Sequence, residues 1–217
     1  PSAIGALEHG ADRIIIEIDE VGGLDLLEGT LENLEPPTAA WELVTVRRVK
    51  PAGIGDRVIV DTTSILRPSE GLLVGSAAAF LFHVASESEG SRFTRPRPFR
   101  VNAGAAHSYT LLADGSTRYL AELVSGDAVL IADPTGSFRS ARVGRIKTER
   151  RPLSLVEVER DGHPYTIFLQ DAETARLSGE TGRLATTQLA PGDRIFGMPL
   201  APARHLGTPI DETIDER

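Results

Sequence analysis

Gly55-Asp56-Arg57-Val58-Ile59-Val60 is the stretch on which the fold reading turns. A Gly-Asp pair ahead of a β-branched run reads as a turn feeding a strand. Glycine takes a conformation with φ > 0, and aspartate bonds nearby backbone. Similar text returns at Gly126-Asp127-Ala128-Val129-Leu130-Ile131 and at Gly192-Asp193-Arg194-Ile195-Phe196, with Leu123 and Leu189 three residues ahead of the glycines. Repeated strand–turn units of this kind suit a small β-barrel. A β-rich, barrel-like region is therefore expected over 51–217, and the turns themselves are read as structure and not chemistry.

Upstream the pattern differs. Ile14-Ile15-Ile16 lies inside a run, Arg13 to Ile18, that reads as a buried parallel strand. Leu24, Leu27, Leu31 and Leu34 follow at helical spacing, up to the stop at Pro36-Pro37. This is a βα pattern, so residues 1–50 are read as the end of an α/β domain and the fold class as α+β. The chain opens on Pro1, and Pro1 to Leu7 reads as the tail of a unit already under way, as in the C-terminal piece of something longer. Trp41 to Val49 alternates into a further strand. Downstream, Leu72 to Val84 is the most apolar segment and reads as a buried strand, with a buried helix as the alternative. Gly71, Gly75, Ser76 and Ala77-Ala78-Ala79 let other backbone approach it closely. Phe138 to Lys147, Leu153 to Arg160 and Pro164 to Leu169 read as three more strands, the last two joined by the turn signal Asp161-Gly162.

With 41% hydrophobic and 25% charged residues among 217, the composition suits a packed core. The 21 glycines and 14 prolines favour turns over long helices. A net charge of −8 gives no broad basic surface for nucleic acid or anionic lipid, although local arginine clusters still suit a small anion. The absence of cysteine excludes disulfides and thiolate metal sites within the chain. No apolar run approaches the ~20 residues of a membrane helix. A cytoplasmic protein acting on a small molecule is the default reading.

The densest set of hydrogen-bonding groups is Arg97-Pro98-Phe99-Arg100-Val101-Asn102-Ala103-Gly104-Ala105-Ala106-His107-Ser108-Tyr109. In a strand of period two, Arg97, Phe99 and Val101 face one way, and Pro98, Arg100 and Asn102 the other. A bend at Gly104 is expected to bring His107 and Tyr109 back beside them. Such a group binds a carboxylate or phosphate with a proton donor at hand, or else forms the polar rim of a sheet. Lys147, Glu149 and Arg151 share one face of a strand by the same alternation. They offer a carbonyl electrophile, a carboxylate and an acid-binding fork, or a solvated edge. Glu87 ends an apolar strand. Asp171 and Glu173 occupy a polar turn, where capping competes with catalysis. No two of the five histidines lie four apart, the spacing of a helical metal site. His83, among apolar neighbours, reads as a satisfied core residue, while His107 and His205 remain candidates. Gly53-Ile54-Gly55 lacks the third glycine of a dinucleotide loop, because Val58 stands in its place.

Taken together the motifs resemble the archaeal-type (type II) 3-dehydroquinate synthase family. The matching pieces are Gly55 to Val58, Asp61 to Ser64, Glu70 to Ser76, Arg97 to Gly104 with His107, Tyr119 to Leu123, Val143 to Leu153, Leu169 to Thr174 and Ala203 to Gly207. The resemblance implies a longer enzyme with an N-terminal α/β portion. It implies NAD-dependent oxidative deamination and cyclisation of an amino-dideoxy-heptulosonate to 3-dehydroquinate, in aromatic amino-acid biosynthesis. A sister branch makes 3-amino-4-hydroxybenzoate with a divalent metal, Mn or Mg, in place of NAD. The chemistry needs an arginine fork for the substrate carboxylate, for which Arg97, Arg100 and Arg151 are candidates with Asn102 beside them. It needs a base (Glu149, Glu173 or Glu87) and an acid or electrophile (His107, Lys147). In the metal branch His107 would join Glu87 or Glu173 as ligands. Three departures from the family pattern stand out: Thr63 in place of cysteine, Ala85 in place of histidine, and Ala105-Ala106 in place of Pro-Val. His83 lies two positions before Ala85, on the same side of a strand, as a candidate substitute.

Overall fold

The computed structural model describes residues 41–91 and 94–200, with the backbone of two short strands at Arg204–His205 and Thr208–Pro209. The βα pattern expected before residue 41 and the candidate His205 side chain lie outside the described residues. Within them the protein is sheet-rich, and its helical content is one 3₁₀ turn, Leu120–Glu122.

Two long strands form the frame: β1 (Glu42–Thr62) and β8 (Phe138–Arg160). Between them lie β2 (Gly71–Ala77), β3 (Phe80–Glu87), β4 (Arg97–Ala105), β5 (Tyr109–Leu111), β6 (Thr117–Tyr119) and β7 (Ala128–Ala132). After β8 come β9 (His163–Gln170), β10 (Arg176–Gly179), β11 (Gly182–Ala185) and β12 (Arg194–Pro199). β1 and β8 run antiparallel from Val46 opposite Val158 to Thr62 opposite Val143. The register slips at three places, between Val46 and Arg48, Pro51 and Ile54, and Asp61 and Thr62. Bulges of this kind bend a strand and let it serve two sheets. β1 accordingly pairs with β12 through Glu42 to Thr45 and with β4 through Arg57 to Asp61.

Following the pairings from β1 to β8, β7, β2, β3 and β4 leads back to β1. The circuit closes, so these six strands leave no unpaired edge among themselves. Alternate residues point into one core: Val58 and Val60, Leu72 and Val74, Phe82 and Val84, Val101 and Ala103, Val129 and Ile131, Ala141 and Val143. Outside the circuit, the β2–β3–β7 wall is apolar. Leu73, Leu81, Leu130, Ala132 and Met198 pack there with Trp41 and Phe138, whose rings stack at 6.2 Å.

Several sequence expectations need correction. Gly55-Asp56-Arg57 is not a turn; it lies inside the continuous β1, which runs through Pro51. The Gly126-Asp127 and Gly192-Asp193 turns do form, with φ of 97° and 99° at the glycines. In each, the aspartate accepts a backbone N–H at 2.8 Å, from Val124 and from Ala190. Leu72 to Val84 is a hairpin of β2 and β3, not one strand. The small residues permit it, since a side chain at Gly71 would strike the carbonyl of Val84 and one at Gly75 would lie 2.6 Å from that of Phe80. Phe138 to Lys147 and Leu153 to Arg160 are one strand, because β1 pairs with β8 from Val143 to Val158, across the expected break. The Asp161-Gly162 hairpin forms as expected, with φ of 52° and 79°.

His83 is a satisfied core histidine. Its Nε2 donates to the Ala132 carbonyl at 2.9 Å, and Nδ1 accepts from the Ser178 hydroxyl at 2.7 Å. Both nitrogens are spent, so it does not replace the histidine absent at Ala85. Burial pushes its pKa down to about 4, against the smaller opposing effect of the Ala132 carbonyl.

Two outcomes follow. Gly71→Ala places a methyl against backbone that has no room to retreat, and should destabilise the protein by about 1–3 kcal/mol in denaturant titration. His83 binds its proton less readily folded than unfolded, so its contribution is complete above pH ~6.5 and is lost as pH falls towards 4. Relative to His83→Gln, the wild type should lose up to about 3 kcal/mol over that window. A stability difference independent of pH would refute this.

Candidate active site

The face of β4, β1 and β8 that points away from the core is charged, and the register sets out its side chains in rows. Asp61 of β1 lies between Arg100 of β4 and Arg145 of β8. One row along, Ile59 lies between Asn102 and Lys147, and next Arg57 lies between Ala105 and Glu149. The period of two is the cause: Val58 and Val60 face the core, so Arg57, Ile59 and Asp61 face the other way. Glu87, at the end of β3, adjoins Arg97 at the start of β4.

Three carboxylates tie the basic side chains together. Asp61 accepts from Arg100 Nε at 2.7 Å and Nη2 at 2.9 Å, and from Arg145 Nε at 2.8 Å and Nη2. Burial opposes ionisation of Asp61, but the guanidiniums of Arg100 and Arg145 together outweigh it and hold its carboxyl below the usual range. Glu149 accepts from Arg57 Nη2 at 2.6 Å and pairs with Lys147 at 2.9 Å and Arg151 at 3.3 Å. The Lys147 ammonium, then the charges of Arg151 and Arg57, hold Glu149 ionised. Glu87, with its side chain 4% exposed, meets Arg97 at 3.3 Å. Here burial prevails over Arg100, Arg97 and Arg57, and its carboxyl is pushed up. Among the described residues, Arg57, Arg97, Arg100, Arg145, Lys147 and Arg151 pair with these three carboxylates. A chain of net charge −8 thus carries an excess of three positive charges on one face. Such a face attracts and orients a small organic acid.

One end of this face meets β9 and the turn after it. Asn102 Nδ2 donates to Gln170 Oε1 at 3.0 Å and to Thr174 Oγ1 at 3.3 Å. Gly104, with φ of 129°, lies so close to the Phe168 carbonyl that a Cβ there would stand 2.6 Å from it. Two buried polar atoms in this region have no partner among the described residues: Arg57 Nε and Asn102 Oδ1. Buried polar groups are normally satisfied, and atoms left over at a site point to a ligand.

The structure brings together Arg97, Arg100, Asn102, Lys147, Glu149, Arg151 and Glu87. Alternation accounts for Arg100 with Asn102 and for Lys147 with Glu149 and Arg151, whereas Arg97, expected on the opposite face with Phe99 and Val101, meets Glu87 where the β3–β4 register shifts. It does not bring His107 and Tyr109 beside Arg100 and Asn102. β4 continues through Gly104 to Ala105 because β1 pairs with it there. His107 is exposed, edge-on to Phe168 at 5.1 Å, and burial of its ring lowers its pKa. Tyr109 instead shares a 2.7 Å hydroxyl contact with Tyr119. Glu173 is exposed, while its neighbours Gln170 and Thr174 hold Asn102. Arg57, Asp61 and Arg145 were missed as site residues. The signal for them was present, since they share alternation parity with Lys147 and Glu149, but it needs the strand pairing to be seen.

The donor set does not suit a divalent metal. Glu87 is surrounded by guanidinium groups that would repel a cation, and the described contact of His107 is with Phe168. Among the described residues no three acidic or imidazole groups cluster as ligands. A dinucleotide cradle at a helix N-terminus is not offered by them either, their only helix being three residues long. No helix among them is long and apolar enough to cross a membrane.

Comparison with known proteins places these observations in a family. Residues 43–217 match the family described as 3-dehydroquinate synthase II C-terminal domain. A 3-dehydroquinate synthase of Methanothrix thermoacetophila is 46% identical, over 99% of this chain and 59% of its own length. One of Methanothermobacter thermautotrophicus is 45% identical, over 99% of this chain and 58% of its own. One of Methanocaldococcus jannaschii is 42% identical, over 97% and 59%. The chain thus spans about three-fifths of the length of these curated relatives. No solved structure matches it. With its charged wall built from strands that lie within the matched span, the chain belongs to the 3-dehydroquinate synthase II family, whose C-terminal domain it contains.

Proposed function

We propose that this chain supplies the acid-binding and ring-closing face of a type II 3-dehydroquinate synthase. The full-length protein would carry out NAD-dependent oxidative deamination and cyclisation of 2-amino-3,7-dideoxy-D-threo-hept-6-ulosonate to 3-dehydroquinate, a cytoplasmic step of aromatic amino-acid biosynthesis. The α+β class, with the end of an α/β domain over 1–50 and a β-rich catalytic domain over 51–217, belongs to the same reading. One observation carries it: a family that acts on a carboxylated, polyhydroxylated chain matches a face that concentrates six basic side chains around three carboxylates.

Arg97, Arg100 and Arg151 attract the substrate carboxylate, and Asn102 adds a hydrogen-bonding partner. Lys147 places an ammonium where an oxyanion develops during ring closure, with Glu149 holding it in place. Glu149 is a weaker base than Glu87, because its cations stabilise the carboxylate. Glu87 suits the task best, because its raised pKa makes it the more willing proton acceptor. Glu173 and His107 serve at the solvent side, as relay groups between this face and water. The described residues form no dinucleotide cradle, so their part is confined to binding the acid and moving protons. The metal-dependent aminohydroxybenzoate reading finds no support in the donor set.

Two experiments bear on this. Full-length enzyme given the heptulosonate should form 3-dehydroquinate only when NAD is supplied, with a chelator making no difference. Product formed without NAD, or abolished by the chelator, would refute the reading. Glu87→Gln should lower kcat by roughly 10²–10⁴-fold. The wild-type rate should rise with pH through the raised carboxyl pKa, since the base works only when deprotonated, and Glu87→Gln should abolish that limb. A limb that survives the substitution assigns the proton to another group.

A further inference from the structure

An inventory of donors singles out one arginine. Arg100 and Arg145 each spend Nε and Nη2 on Asp61. Arg97 turns to Glu87, while Lys147 and Arg151 turn to Glu149. Arg57 gives Glu149 only Nη2, and its Nε–H, on a side chain 4% exposed, has no acceptor. A lysine would satisfy Glu149 at this place without burying a second donor. The fixed fork of a guanidinium is needed only if that donor has its own partner. β1 runs between β4 and β8, so Arg57 has Ala105 on one side and Glu149 on the other, and the charges of Glu149, Arg151, Glu87 and Arg100 all act on it. On the neighbouring strand, one row along, Asn102 Oδ1 is a buried acceptor equally without a partner.

We propose that Arg57 is a specificity-determining residue whose Nε–H takes a carboxylate oxygen of the ligand, while Asn102 Oδ1 takes the N–H or O–H on the adjoining carbon. The ligand class is an acid bearing an amine or hydroxyl next to its carboxylate. This rests on the function proposed above, whose substrate and product both have that character. It assigns the central contact to a residue of β1 that the sequence reads as part of a turn. The flanking arginines then attract the acid, and Arg57 fixes its orientation.

The test uses full-length enzyme and calorimetric binding of 3-dehydroquinate and of its methyl ester. Wild type should prefer the acid by roughly 10–100-fold, the worth of a charge-assisted hydrogen bond. Arg57→Lys keeps the charge beside Glu149 and removes Nε. It should weaken acid binding at least about tenfold and cut the preference over the ester by the same factor, whereas Arg194→Lys, at the exposed Glu180 pair of β12, should keep that preference. If Arg57→Lys retains the preference, the assignment to Arg57 is overturned and the functional reading stands. If wild type binds neither compound, the functional reading falls and takes the assignment with it. A structure of wild type with the acid bound needs no variant. It should show a ligand oxygen within hydrogen-bond reach of Arg57 Nε, and a water there with the ligand elsewhere would sink the proposal.

Discussion

Val58 and Val60 can face the core only if Arg57, Ile59 and Asp61 face away from it, and most of the molecule follows from that alternation. β1 is paired on both sides through this segment, by β4 and by β8. A slip of one residue in β1 would therefore bury the Arg57 guanidinium and the Asp61 carboxylate in the core and part them from their partners, and the cost of stranding such charges excludes it. The hydrophobic core and the charged face are thus two readings of one register. Closure of the strand circuit locks it, because no strand in the circuit can shift without breaking a ladder elsewhere.

A face with six basic side chains would repel itself if left uncompensated. Asp61, Glu149 and Glu87 each hold between one and three of them at short range and leave a surplus for a ligand. The three carboxylates differ in kind. Asp61 and Glu149 are held ionised by direct ion pairs, so they act as fixed counter-charges. Glu87 is dominated by burial and stands readier to take a proton. The same amino-acid type therefore divides into scaffold and proton acceptor according to how much water and how many cations surround it.

Part of this was legible from the residues alone. Arg100 and Asn102 opposite Val101, and Lys147, Glu149 and Arg151 together, follow from period two in any strand. The Gly126 and Gly192 turns and the Asp161-Gly162 hairpin carry their own backbone chemistry, and each forms as read. His83 announces itself by its apolar neighbours. The errors share a cause. Gly55-Asp56-Arg57 has the text of a turn, but β4 and β8 hold it extended. Gly104 has the text of a bend and does sit at a shift in the β1–β4 register with φ of 129°, but β1 pairs with β4 on both sides of it, so the chain does not fold back. In each case a tertiary neighbour overrode a local preference that amounts to little beside a full ladder of hydrogen bonds.

The sequence by itself determined the sheet-rich character, the parity of β4 from Arg100 to Asn102 and of β8 from Lys147 to Arg151, and the absence of thiol chemistry, because these depend on side-chain type and on a period of two residues. The tertiary structure alone decided that Arg57, Asp61 and Arg145 join the site, that His107 turns to Phe168 and that Glu87 sits among arginines. Those facts depend on which strands lie side by side and in what register. That is set by the joint packing of residues more than a hundred positions apart, and no local stretch of chain contains it.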